Sequence, residues 1–490
     1  MVRLRIVVVI SALFLAFPAW AQTTLTLGMQ QEPTVLDPTA DATAAIDVML
    51  AHNVYESLTT VDEAGNVLPQ LAESWNISED GLTYTFKLLD GVTFHDGSAF
   101  NADDVVFSFD RARADDSVNP TSGIWSGIES VTAVDPMTVT VTLSAPDAFF
   151  LFNLAKGDAS IVAEETFETN VTDPIGTGPF QFDSWTRGDR LVLAKYPDHR
   201  NADDVQLDRV EFRFIADPAA ATAALLAEEL DAFPGFPAPE LIDQFDADPR
   251  FNVVLGSTEG EVILALNNSR APFDSLEARK GLAHALDRNE IITGAMYGRA
   301  TPISSFYPPH GPAFVDLTGT FPHDTERAAE LFKEAGLEGA EVTLRLPPFP
   351  YATRSGEIIQ AQLAEAGVTV NVENVEWGFW IEEVYRNKNY DMTVIAHTSP
   401  NDMGNFARGS DYFYGFQSDA YDALWEKIKT EADPEKRNAL LQDAQRYVTD
   451  NAIHGYLFQL PRLGIYRDGV TGFWKSAPVL FQPLAQVRVN

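Results

Sequence analysis

Eight histidines and 71 carboxylates are the groups in this 490-residue sequence best suited to moving protons or holding a metal, and no cysteine accompanies them. The histidines (His52, His95, His199, His284, His310, His323, His397 and His454) are scattered, and none pairs with another at metal-ligand spacing. Neither H-E-x-x-H nor G-x-S-x-G occurs, so the helix-borne zinc pair and the nucleophile elbow are both excluded. The glycines of Asp173-Pro174-Ile175-Gly176-Thr177-Gly178-Pro179-Phe180 are not followed by Lys-Ser/Thr, so they read as a structural turn rather than a phosphate cradle. With so many carboxylates some pairs fall close by chance, and a glycosidase-like acid pair is not readable from spacing. The expectation is a protein that is not an enzyme, with no catalytic residue, no metal and no cofactor.

What remains is recognition, which asks for a cleft with aromatic faces and a few fixed polar groups. The net charge of −37, from 34 basic against 71 acidic side chains, argues against nucleic acid, because phosphate binding needs clustered Lys and Arg. The elements that would position a cleft can be read locally. In residues 80–109, Leu82, Tyr84, Phe86 and Leu88 alternate with polar residues, the period of a strand. Asp90-Gly91 turns, Val92 and Phe94 resume the pattern, and Asp96-Gly97 turns again. Asn101 and Asp104 are spaced to cap a helix whose buried stripe is Val105, Val106 and Phe109. The block reads hairpin, turn, helix.

Residues 80–109, with Pro69-Gln70-Leu71-Ala72-Glu73-Ser74-Trp75 ahead of them, closely resemble the signature of the extracytoplasmic solute-binding proteins of family 5, the dipeptide-, oligopeptide- and nickel-binding proteins of ABC importers. The turn at 173–180, the Glu228-Glu229-Leu230-Asp231 stretch (with Glu228 where the family usually has Gly), the strand at 261–268 and the helix at 279–288 extend the resemblance over residues 24–490. It implies an α/β, two-lobed periplasmic binding protein of type II, of the large peptide-binding class, with an extra subdomain inserted in lobe I. Lobe I would comprise residues 22–58, 173–258 and 467–490, the inserted subdomain 59–172, and lobe II 259–466 with hinge segments near 258–266 and 459–466. The implied function is a receptor that captures a small solute, a peptide first, and delivers it to inner-membrane permease subunits. An oligosaccharide, an opine or a metal chelate is the alternative cargo, and a periplasmic hydrolase with a carboxylate pair is a distant alternative. The protein is expected to be a monomer that does not span the membrane.

The first 21 residues read as an export signal: Arg3 and Arg5, an apolar run at 6–17, and the small-x-small Ala19-Trp20-Ala21, with cleavage before Gln22 and release to the periplasm. Further on, Asp217-Pro218 starts an Ala-rich helix at 219–230, Asp287 and Glu290 form a capping box for a helix that Gly298 ends, and 342–395 alternates strand and helix. A strand is expected at 454–459, with the segment 463–466 beyond it.

In peptide-binding relatives a Gly-Trp and an Asp that pairs with the ligand's α-ammonium stand near residue 400. Aligned on Asn405-Phe406 they fall on Ile395, Ala396 and Ser399, so all three are missing. Asp402 could replace the lost carboxylate, or it is a turn residue before Gly404. His397 in the same loop either faces the ligand or is bonded locally. Trp125, Phe233 and Trp380 lie in segments that line the cleft in relatives, each equally readable as core. Asn267, ending a strand, and Glu32, on the early loop, are candidate polar contacts. With Ser399 these make up the expected ligand-binding set.

Overall fold

The computed structural model describes residues 22–121, 125–398 and 402–490. The export signal at 1–21 and candidate Ser399 lie outside the described residues.

Two long strands tie the molecule together. Phe251–Leu266 and Gly455–Arg467 run antiparallel through the middle of an 11-stranded sheet. The first pairs with Met392–His397 on its other edge, and beyond that lie Glu341–Leu346 and Thr369–Asn374, joined in parallel. The second pairs with Ala232–Phe233, followed by Thr24–Met29, Arg209–Phe214, Arg190–Lys195 and Phe180–Thr186. The crossing strand Phe251–Leu266 reads as two halves because its surroundings change. Val262, Leu264 and Leu266 enter one core and Ile263 and Ala265 another, so a sheet covered on both faces selects a continuous apolar run there. Before it, the strand is partly exposed. The strand expected at 454–459 and the segment 463–466 beyond it belong to one continuous strand, with Pro461 opposite Ser257 at the edge of the register break.

A separate four-stranded antiparallel sheet, in the order Ala72–Ile77, Thr83–Leu88, Thr138–Leu143, Ile128–Asp135, carries the helix Ala102–Arg113. Its core holds Phe86, Val105, Phe109, Val139 and Val141. The hairpin expected within 80–109 does not form. Thr83–Leu88 is a central strand with both edges taken, by Ala72–Ile77 and Thr138–Leu143, so Val92 and Phe94 are buried as side chains while their segment makes only the single bridge Thr93–Ala99.

Capping follows the sequence closely. The Asn101 side chain accepts from Asp103 N–H at 2.7 Å, and Asp104 accepts the Asn101 N–H at 2.8 Å. Asp217 caps Pro218–Leu226, which ends four residues earlier than expected, with Glu228 beyond it at φ 59°. Asp287 caps Arg288–Met296, but Glu290 does not close the box: it accepts from Gln362, and Gln362 Oε1 takes the Asp287 N–H instead.

Candidate functional site

The residues that meet at the centre come from the crossing strands. The ladder Phe251–Ser257 with Arg467–Pro461 breaks, and pairing resumes at Glu261 with Gln459. The bulge between is fixed by its own side chains: Thr258 Oγ1 donates to the Leu460 carbonyl at 3.0 Å and accepts the Gly260 N–H, while Gln459 Nε2 donates to the Thr258 carbonyl. Glu261 faces the same side of the strand as Ile263 and Ala265, and Glu259, within the bulge, is close enough to add to the repulsion on its carboxyl.

Around them sits a buried polar cluster. His310 bridges Ser257 Oγ at 2.8 Å and Glu259 Oε1 at 2.7 Å. His397 is the cross-strand partner of Glu261, its Nε2 lies 2.8 Å from the Tyr414 hydroxyl, and its Nδ1 lies 3.7 Å from Asp402. Burial, aided by Arg408, lowers the His397 pKa to about 3, so His397 and Asp402 are neighbours without being an ion pair at neutral pH. Burial raises the Glu259 carboxyl above its usual range against the opposing pull of His310. It raises Glu261 much further, with Glu259 and Asp402 adding repulsion. Burial likewise pushes the Tyr307 hydroxyl up to about 12, and that oxygen accepts the Ala313 N–H at 3.3 Å.

Beside this cluster opens a cleft of about 590 Å³, within the range of small-molecule sites. Tyr84 of the four-stranded sheet, with Asp147 and Phe149 from the segment that follows its strand Thr138–Leu143, lines one side, and Tyr307, His310 and Arg437 line the other, with Glu259 also in the lining. The two sides touch at one point. Ala148 N–H donates to the Lys429 carbonyl at 2.8 Å, Phe149 stacks on Trp425 with centroids 5.9 Å apart, and the Arg437 guanidinium lies 5.8 Å from the Phe149 ring.

Of the expected set, the structure brings together His397 and Asp402. The other described candidates are engaged elsewhere. Trp125 is buried against Phe109 and donates its indole N–H to Asn119, and Phe233 is buried against Phe236. Trp380 is buried and donates to Thr393. Asn267 donates to the Lys388 and Tyr390 carbonyls, and Glu32 accepts from the Trp185 indole and the Gly188 N–H. Glu259, Glu261 and Gln459 were not singled out from the sequence. Their one signal was two carboxylates, at i and i+2, leading directly into the apolar run Val262–Leu266. Among the described residues no three His, Asp or Glu side chains are arranged to hold a metal ion, and no helix is long and apolar enough to cross a membrane.

The family model for bacterial extracellular solute-binding proteins, family 5 (Middle) matches residues 66–423. The chain is 30% identical over 510 residues to di/tripeptide-binding protein 1 of Pseudomonas aeruginosa (strain UCBPP-PA14), covering 94% of this chain and 95% of that protein. It is similar in structure to the ABC transporter-associated periplasmic binding protein DppA from Helicobacter pylori, solved with the peptide STSA, at TM-score 0.81, 25% identity and coverage of 96% and 98%. HbpA2 from Haemophilus parasuis matches at TM-score 0.85 and 25% identity, covering 95% of this chain and all of that one. A cleft between two lobes joined by paired crossing strands, with a family match spanning most of the sequence, places the chain among the bacterial extracellular solute-binding proteins of family 5.

Proposed function

We propose that this substrate-binding protein of an ABC importer captures a short peptide in the cleft beside Glu259 and holds it by closure of the two lobes about the register break at Ser257–Glu261. The observation that carries the reading is the cleft itself: about 590 Å³, walled by both lobes, with the carboxylates of Glu259 and Asp147, the His310 imidazole and the Arg437 guanidinium in its lining. A peptide is charged at both ends and polar between, which fits such a lining. The relative at 30% identity is a di/tripeptide-binding protein and the Helicobacter pylori neighbour holds a tetrapeptide, which supports the same class. The chain is a receptor, not an enzyme, and it binds a ligand and a permease. In the full reading the signal at residues 1–21 delivers it to the periplasm, where it works as a monomer.

A thermal-shift screen across di-, tri- and tetrapeptides, with oligosaccharides and amino-acid conjugates as controls, tests this. Ligand at about 100 times its Kd adds about 2.7 kcal/mol to the stability of the folded state, and the peptide is recovered intact by mass spectrometry. Stabilisation by a control class alone, or recovery of cleaved peptide, contradicts it.

A further inference from the structure

His397, Glu261 and Gln459 form a row across three adjacent strands, because the crossing strand pairs Glu261 with His397 on one edge and with Gln459 on the other. Directly paired residues project from the same face of a sheet. The row has more acceptors than donors. Glu261 Oε2 and Gln459 Oε1 have no hydrogen-bond partner among the described residues, although Glu261 is 2% and Gln459 1% exposed. One N–H of the Gln459 amide is committed to the Thr258 carbonyl, and His397 Nε2 is paired with the Tyr414 hydroxyl, so neither meets these two oxygens. Glu259, in the bulge two residues before Glu261, lines the cleft and is near enough to act on the Glu261 carboxyl. Neither glutamate has an Arg or Lys ion-pair partner among the described residues; the ion pair of Glu259 is with His310.

Buried acceptors in native proteins are almost always paired, so two unpaired ones side by side call for a donor that arrives from outside. A carboxylate and an amide carbonyl together, with a second carboxylate on the approach, suit a donor that is positively charged and carries several N–H groups. We propose that Glu261, with Gln459 beside it and Glu259 at its entrance, is the subsite for a cationic nitrogen of the bound ligand, an α-ammonium or the ammonium of a basic side chain. The choice of peptide probes rests on the reading above; the subsite itself does not.

The subsite has a proton signature. The groups facing Glu261 are Glu259 on its own strand, His397 on the neighbouring strand, Asp402 and Tyr414 from the loop beyond, Gln459 on the return strand, and Tyr307 and His310 from the opposite loop. Burial, with repulsion from Glu259 and Asp402 added, makes Glu261 hold its proton far above the usual carboxylate range, and His397, itself neutral, supplies no counter-charge. A cation favours the ionised form, so binding at neutral pH releases a proton and affinity rises with pH.

The test is calorimetry at neutral pH in two buffers of different ionisation enthalpy, on the wild type, Glu261→Gln and Gln459→Leu. The probes are trialanine, N-acetyl-trialanine, N-acetyl-lysyl-alanyl-alanine and spermidine. The wild type binds at least one cationic probe with proton release. Glu261→Gln weakens that probe about tenfold or more and abolishes the proton release, as loss of a charged hydrogen bond predicts. N-acetyl-trialanine is indifferent to the substitution, and whichever of trialanine or the acetylated lysyl peptide responds identifies the source of the nitrogen. Gln459→Leu, which keeps every carboxylate, weakens the same probe about threefold or more and decides the matter if Glu261→Gln does not fold. Unchanged affinity and proton release in the variants, or no binding of any cationic probe to the wild type, overturns the subsite. Glu261-dependent binding of spermidine without binding of any peptide leaves the subsite standing and overturns the peptide reading.

Discussion

Glu56 shows what a buried carboxylate in this molecule looks like when its partners are built in. It is 3% exposed and takes both guanidinium nitrogens of Arg200 at 2.6 and 2.7 Å, the Thr177 hydroxyl at 3.0 Å and the Gln70 amide. Burial alone would raise its pKa, but the hydrogen bonds from His199 and Arg200 and the Arg200 charge prevail and lower it from 4.5 to about 2. A depressed folded-state pKa contributes stability that is present above the unfolded value and lost as pH falls through the folded one. Glu56→Gln should therefore cost about 3 kcal/mol at neutral pH, the scale of a broken buried pair, and the difference from wild type should shrink between about pH 4.5 and about pH 2 in urea titrations. Glu261 is the contrast: equally buried, two residues from the cleft-lining Glu259, with no such partner. Neither environment could be read in the sequence. Arg200 is 144 residues from Glu56 and His310 is 51 from Glu259, and a single sequence gives no spacing rule for pairs that only the folded sheets bring together.

The individual elements were far more legible, because their causes are local. The Asn101–Asp104 box and the Asp217 cap depend on residues a few positions apart. Where a neighbour from afar intervened, the reading slipped. Gln362 displaced Glu290 from its cap, the second and third strands of the inserted sheet are separated by a helix, and Trp380–Arg386, inside an expected helix, is wound as a π-helix over Tyr390 and Phe413. Glu228 offers a test at this scale. It ends its helix at φ 59°, a conformation costly for a side chain and free for glycine, and its carboxylate reaches an Arg250 that Asp248 also holds. Glu228→Gly should raise stability by about 0.5–1 kcal/mol, since relief of the backbone exceeds the loss of an exposed ion pair. A lower urea midpoint would mean that the Arg250 contact matters more than the backbone.

At the scale of the whole molecule the lobes are joined by the crossing strands, which cannot part, and meet also at separable contacts: the Arg299–Asp243 and Arg354–Glu240 ion pairs and, across the cleft, Phe149. Phe149 lies between Trp425 and Arg437 at the margin of the second lobe's core, only partly buried there, with the Ala148–Lys429 hydrogen bond beside it, a placement suited to a latch. Phe149→Ala removes an aromatic pair worth about 0.5–1.5 kcal/mol beyond its buried area, so the dissociation rate of a bound peptide should rise about 3- to 10-fold while the fold is unaffected. A rate unchanged in stopped-flow measurements would remove the latch. The two-lobed plan itself was visible in the sequence, because the motif at residues 69–109 resembles a family whose members share it. The closing point was not, because Phe149 and Trp425 sit in segments with no distinguishing pattern. Small-angle scattering on the free protein and on the protein saturated with the peptide selected by the thermal screen tests the central claim most directly. Closure of two lobes on an intact ligand predicts a smaller radius of gyration in the saturated state; an identical radius in both states would contradict it.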